Sequence, residues 1–162
     1  MISKEQLQLL YKWGKDTSFP LKKAPTNIEG YSNRDIDYYW LKSVKKSTII
    51  RTKFMTDEIK KIYDNDEILF SNYVIFYEGT ILRPHKDPDI LRHPYKRVQI
   101  PLSVPDGDCY MRWTKTGDKI YWKEGVTEVC DVCKFVHEAF NNTPKPIEFL
   151  FLDVKLDTVV EN

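Results

Sequence analysis

His85, Asp87 and His137 are the residues of this chain whose types and spacing suit metal chemistry. His85-Lys86-Asp87 sets an imidazole and a carboxylate two positions apart, and in an extended strand residues i and i+2 point to one face. Both groups then reach one ion while Lys86 points away. A second imidazole, from His137 much later in the sequence, completes a two-histidine, one-carboxylate facial triad. That set holds Fe(II) on one side and leaves the opposite coordination positions open. The chain contains three histidines in all, and two of them stand where such a site needs them, each beside a run that reads as a strand. His-x-Asp alone is a weak signal, because Pro84 and Pro88 equally suit a surface turn. The surrounding sequence has to decide.

Such ligands need a rigid frame. From residue 70 onward the sequence supplies short β-branched or aromatic runs at Ser71–Tyr77, Arg97–Val104, Asp108–Trp113, Lys119–Trp122, Thr127–Cys130 and Glu148–Val154. Turn-forming stretches such as Pro105-Asp106-Gly107-Asp108 and Thr116-Gly117-Asp118 separate them. Short strands spaced this way predict two packed sheets, a double-sheet jelly roll. Upstream, residues 1–69 read as helical and irregular. Ser3 and Gln6 form a capping box for a helix over Ser3–Trp13 whose Leu7, Leu10 and Tyr11 share a face. Thr56 caps a second helix reaching Tyr63, with Asp57 and Glu58 in its first turn. Pro20, Pro25 and Gly30 mark an irregular connection over Phe19–Arg34. Tyr38-Tyr39-Trp40 is an aromatic cluster suited to core packing. The expectation is one mainly β domain over 1–162, with N-terminal helices and a jelly-roll core at 70–156.

Composition narrows the function classes. With 41% hydrophobic and 14% aromatic residues, the chain has the material for a packed core and is not a disordered segment. A net charge of +1 supplies no bulk field for nucleic acid or for a membrane surface. No apolar run is long enough to span a bilayer, and Met1-Ile2-Ser3-Lys4-Glu5-Gln6 lacks the apolar segment of a signal peptide. Three cysteines, an odd number, do not form a disulfide framework. A reducing, cytoplasmic setting is expected.

Five blocks occur in order: Gly79-Thr80-Ile81-Leu82-Arg83-Pro84-His85-Lys86-Asp87, Arg97-Val98-Gln99-Ile100-Pro101-Leu102, Trp122-Lys123-Glu124-Gly125, His137-Glu138, and Phe149-Leu150-Phe151-Leu152-Asp153-Val154. Together they resemble the aspartyl/asparaginyl β-hydroxylase family over about residues 70–155. The resemblance implies a double-stranded β-helix of the jelly-roll, cupin-like kind. It also implies an Fe(II)- and 2-oxoglutarate-dependent oxygenase. In that reaction the cosubstrate is oxidised to succinate and CO₂ while a C–H bond is hydroxylated. The implied substrate is a small molecule or a peptide or protein, acted on at an amino-acid side chain. His85 and His137 match the family's metal histidines, and Asp87 the carboxylate of members with a complete triad. Arg97 matches an Arg beside 2-oxoglutarate and the metal. Gln99 stands where many members carry His, and still offers a donor. One departure concerns an Arg that the family places about ten residues after the distal His, pairing with the far carboxylate of 2-oxoglutarate. Here that position is Ile147, and no Arg follows Arg112. Lys145 is the nearest cation and shares the strand parity of Ile147, though Lys meets a carboxylate as a point charge and not as a planar fork. Three readings stay open: Lys145 substitutes, the cosubstrate differs, or the chain is a non-catalytic jelly-roll module that keeps a metal.

Other residues carry weaker signals. Cys130, Cys133 and His137 have zinc-like spacing, with Cys109 as a possible fourth ligand, but no Gly tightens a knuckle there and buried free thiols are the expected reading. Arg83 and Arg92 flank the triad motif and suit either an anionic substrate or plain surface charge. His93 belongs to a loop. Arg112 is a candidate pocket-lining residue, and Asp153 is expected to make a structural hydrogen bond in the last strand.

Overall fold

The two strands that carry the histidines belong to the smaller of two antiparallel sheets, whose shared interior, with a second core outside the larger sheet, accounts for the apolar runs. A computed structural model describes residues 1–23, 32–33, 36–43, 49–88 and 94–161. In chain order the elements are α1 (Lys4–Asp16), β1 (Lys22–Lys23), β2 (Ile36–Ser43), β3 (Ile49–Ile50), a 3₁₀ turn (Thr52–Phe54) and α2 (Asp57–Tyr63). They continue with β4 (Ile68–Phe76), β5 (Ile81–His85), β6 (Tyr95–Ser103), β7 (Cys109–Trp113), β8 (Lys119–Tyr121), β9 (Glu128–Cys130), β10 (His137–Asn141) and β11 (Ile147–Lys155). Among the described residues the larger sheet runs β1-β2-β4-β11-β6-β9, with β3 on β2, and the smaller runs β5-β10-β7-β8. The fold is therefore the mainly β double-stranded β-helix that the sequence predicts.

β11 lies at the centre of the larger sheet, between β4 and β6, and is covered on both sides. Leu150, Leu152 and Val154 join Val98, Ile100 and Leu102 in an outer core roofed by Leu7 and Leu10 of α1 and Ile59 and Ile62 of α2. Ile147, Phe149 and Phe151 point the other way, into an inner core with Phe76, Leu82, Met111, Trp122 and Ala139 between the sheets. Burial on both faces is why Ile147–Val154 reads as a nearly unbroken apolar run instead of an alternating one.

The helices follow their caps. Ser3 Oγ accepts from the Gln6 N–H and Gln6 Oε1 accepts from the Ser3 N–H, closing the capping box. α1 continues one turn past the expected Trp13, to Asp16, across Gly14, whose missing side chain lets the helix sit directly on Leu102. Thr56 Oγ1 accepts from the Ile59 N–H at the start of α2, and the end of α2 is met by the buried Lys42 ammonium, which donates to the Tyr63 and Asn65 carbonyls. Ser3→Ala is expected to lower stability by about 1 kcal/mol, the usual value of such a cap. A urea midpoint unchanged from wild type would contradict it.

The N-terminal third is richer in strands than its sequence suggests. Tyr38-Tyr39-Trp40 lies within β2, which pairs with β4. Tyr39 packs against the helix-side core and Tyr38 against the inner one. Parts of the Phe19–Arg34 connection, including Pro25 and Gly30, fall outside the described residues.

Candidate metal centre

β5 ends on His85 and β10 begins on His137, and the two are register partners. The next paired residues are Ala139 and Leu82, so β5 carries one extra residue against β10. Pro84 occupies that stretch of β5, where its missing N–H costs no ladder bond. Asp87 follows just beyond β5, fixed by its N–H to the Val132 carbonyl at 3.0 Å.

These placements bring three ligand atoms together. Asp87 Oδ1 lies 3.3 Å from His85 Nε2 and 3.4 Å from His137 Nε2, and one ligand atom from each residue falls within 4.8 Å of the others. The imidazole centroids are 4.4 Å apart. Each ring is oriented from behind: His85 Nδ1 lies 2.6 Å from the Arg83 carbonyl and His137 Nδ1 3.1 Å from that of Phe135. Donation from Nδ1 puts the proton there and leaves the Nε2 lone pairs facing the site, the arrangement a metal-binding histidine needs. Trp113 stacks edge-on against His137, and Phe135 edge-on against Trp113.

The other oxygen of Asp87 is occupied. Oδ2 meets Arg97 Nη1 at 2.7 Å and accepts from the Tyr95 hydroxyl at 3.3 Å. Arg97 in turn donates Nε to Asp153 Oδ1 at 2.7 Å and Nη2 to Oδ2 at 2.9 Å, while its plane lies over the Phe151 ring. Burial alone would push the Asp87 carboxyl up, but Arg97, and then the two histidines, hold it far below the usual carboxylate range. Asp87 is thus ionised. Burial pulls His85 down, yet Asp87 and the Arg83 carbonyl outweigh it and leave the imidazole raised.

The remaining candidates divide. Gln99, buried two residues from Arg97 on the same strand, accepts from Trp122 Nε1 at 2.8 Å, and among the described residues its amide nitrogen has only the thioether of Met111 at 3.8 Å, a weak acceptor. Ile147 is fully buried in the inner core. Lys145 does not join the cluster: it is exposed in the loop after β10, at the strand end away from His137, beside an open cleft lined by Ser103, Asp106 and Glu148. Arg112 does not line the interior either. Met111 points inward, so its neighbour points out, and Arg112 pairs with Glu138 at 2.8 Å on the outer face of the smaller sheet. Arg83 is exposed and contributes its carbonyl. Arg92 and His93 lie outside the described residues.

The zinc arrangement does not form among the described residues. Cys109 pairs with Asn141 at one end of β10 while His137 pairs with Trp113 at the other, and all three cysteines are free. Burial pushes the Cys130 thiol up to about 12 and raises Cys133 as well. Thiolate is the reactive form, so native protein at mildly alkaline pH is expected to leave Cys130 unalkylated until denatured, as read by intact mass. Stoichiometric zinc released by thiol modification would contradict this.

Two partners of the centre are not apparent from the sequence. Tyr95 carries no signal there. Asp153 suggests a structural hydrogen bond without naming its partner, although a carboxylate inside an otherwise apolar strand is itself a sign of a buried counter-charge.

A cupin-type double-stranded β-helix with a His-Asp-His cluster between its sheets defines the class of this protein. The family model for aspartyl/asparaginyl beta-hydroxylases matches residues 42–156, and the chain belongs to that family. Among solved structures, it is similar to an oxidoreductase of the 2OG-Fe(II) oxygenase family from Burkholderia pseudomallei. The TM-score is 0.64 at 10% identity, over 94% of this chain and 79% of that one. A predicted oxalate decarboxylase from Thermotoga maritima aligns with TM-score 0.55 at 12% identity, over 86% of this chain and 95% of that one. A cupin 2 conserved barrel domain protein from Rhodopseudomonas palustris aligns with TM-score 0.51 at 12% identity, over 83% and 70%. At these identities the likeness concerns the fold. No curated protein matches the sequence. No helix among the described residues is long and apolar enough to cross a membrane.

Proposed function

We propose that the chain is an Fe(II)-dependent oxygenase that hydroxylates a C–H bond of an amino-acid or peptide side chain, with 2-oxoglutarate as cosubstrate. The observation that carries this reading is the convergence of His85 Nε2, His137 Nε2 and Asp87 Oδ1 on one point. Two imidazoles and one ionised carboxylate are the donor set of a non-haem Fe(II) site. The chemistry of the set therefore fits the metal. Fe(II) with a bound 2-oxo acid would supply the O₂-dependent oxidation that yields succinate, CO₂ and a hydroxylated product.

The chain's own groups have narrower tasks. His85, Asp87 and His137 present three ligands on one side. Arg97 and Gln99 share a face of β6 and would hold the ketoacid end of a bound cosubstrate. Trp113 shields the back of His137 from water, which strengthens every electrostatic contact inside.

The far carboxylate of 2-oxoglutarate is where the fit fails. An unpaired buried carboxylate is costly; position 147 offers an apolar side chain, and Lys145 is exposed. This observation favours a second reading, in which the metal site serves a different cosubstrate or a non-catalytic jelly-roll module. Anaerobic titration of the Fe(II)-loaded protein with 2-oxoglutarate separates the two. A charge-transfer band, and succinate on admitting air, are expected under the first reading; metal without either favours the second. Lys145→Met is expected to change 2-oxoglutarate affinity by less than about fivefold, since exposed ion pairs contribute about 1 kcal/mol or less. A larger loss would bring Lys145 into the pocket after all.

A further inference from the structure

We infer that Asp153, acting through Arg97, is a positioning residue that restricts Asp87 to offering a single oxygen, Oδ1, to the metal. The inference rests on the metal site proposed above and adds a residue from the last strand to it.

The geometry is a chain of three charges. Asp153 on β11 is the register partner of Arg97 on β6, and only 4% of its surface is exposed. Its two oxygens take Nε and Nη2 of the guanidinium as a fork, which fixes the plane and azimuth of the group. Phe151 lies under that plane, with its ring centre 4.9 Å from the guanidinium carbon, and blocks rotation on that side. The remaining nitrogen, Nη1, is then aimed at Asp87 Oδ2, 2.7 Å away. Tyr95 donates to the same oxygen. Oδ2 thus holds two donors from the protein while Oδ1 faces the two imidazoles. For Asp87 to chelate a metal with both oxygens it would have to surrender the Arg97 contact.

Charge points the same way. Arg97 places a cation behind a carboxylate that is to receive a divalent cation. Without Asp153, that arrangement would set two cations against one anion in a buried space. Asp153 offsets the guanidinium, so Asp87 keeps its ligand strength. Partners behind a ligand set both its orientation and its affinity for metal.

Co(II) alone is the probe, added to the full chain. Its visible d–d bands report coordination number and geometry, and titration gives the affinity. Wild type is expected to bind one Co(II), and His137→Ala none. Asp153→Asn, folded by near-ultraviolet circular dichroism, is expected to bind about 10- to 100-fold more weakly with altered bands. Arg97→Lys, which keeps the charge but lacks a fork able to bridge both carboxylates, is expected to behave alike, and Asp153→Glu to recover part of the loss. Folded Asp153→Asn or Arg97→Lys with wild-type affinity and spectrum overturns the inference and leaves the metal site standing. Should neither variant fold, Asp153→Glu decides: it keeps the charge but shifts the fork that fixes the guanidinium, and wild-type bands and affinity there overturn the inference. Absence of Co(II) binding by wild type overturns the metal site itself.

Discussion

His137→Ala is expected to abolish metal binding. The side chain supplies one of three ligand atoms gathered within 4.8 Å, and its loss leaves His85 and Asp87 on one side of the ion. Partners one layer behind a ligand are worth about 10- to 100-fold in metal affinity, so removal of the ligand itself is expected to exceed that range. The fold should survive, because His137 begins β10 and the inner core is built further along, from Ala139 onward. His85→Ala is expected to match it, since the two residues face each other across the β5–β10 ladder. Calorimetric titration with Mn(II) checks both. Wild-type affinity in either variant would remove the basis of the proposed function.

Asn141→Ala is expected to be the most destabilising single change away from the centre, by roughly 3–5 kcal/mol. Asn141 is fully buried at the end of β10. Its amide nitrogen donates to the carbonyls of Phe76, Tyr77 and Lys145, at 3.0, 3.0 and 2.8 Å. Its oxygen accepts from the N–H and the hydroxyl of Thr143. One side chain thereby ties the smaller sheet to the end of β4 in the larger one and shapes the loop into β11. Alanine strands those groups, and each buried polar group left unpaired costs about 1–3 kcal/mol. Chemical denaturation should show the loss, while the folded fraction keeps wild-type Mn(II) affinity because the metal site lies at the other end of β10. A loss under about 1 kcal/mol would mean that water replaces the amide.

What can be read from the sequence is whatever is local. The His-x-Asp spacing makes His85 and Asp87 a pair even though β5 ends at His85 and Asp87 follows it, capping chemistry locates both helices, and the apolar run of β11 announces a strand. Register is not local. The pairing of Arg97 with Asp153 depends on how β6 and β11 slide against each other, and nothing in either strand alone states it. β2 is hidden because Tyr38, Tyr39 and Trp40 are all aromatic, which erases the alternation that marks a strand. Lys145 would share the face of Ile147 only if β11 extended back to it. Pro144 and Pro146 bracket Lys145 and end the ladder at Ile147, where β11 begins. Arg112 is a similar case: strand alternation fixes its face once Met111 is known to be inside, and the sequence does not say which neighbour is.

The central place of β11 also governs the order in which the molecule can be assembled. β4 and β6 emerge from the ribosome long before the strand that joins them, so until residues 147–155 are made, each presents an open hydrogen-bonding edge flanked by apolar side chains. Such edges invite pairing with other chains. β11 also carries Asp153, the second carboxylate on Arg97, so the larger sheet closes and the guanidinium gains that partner in one event. A nascent chain halted before β11 is therefore a species for chaperones to guard, and any loading of the proposed metal site belongs after translation of this segment, not during it.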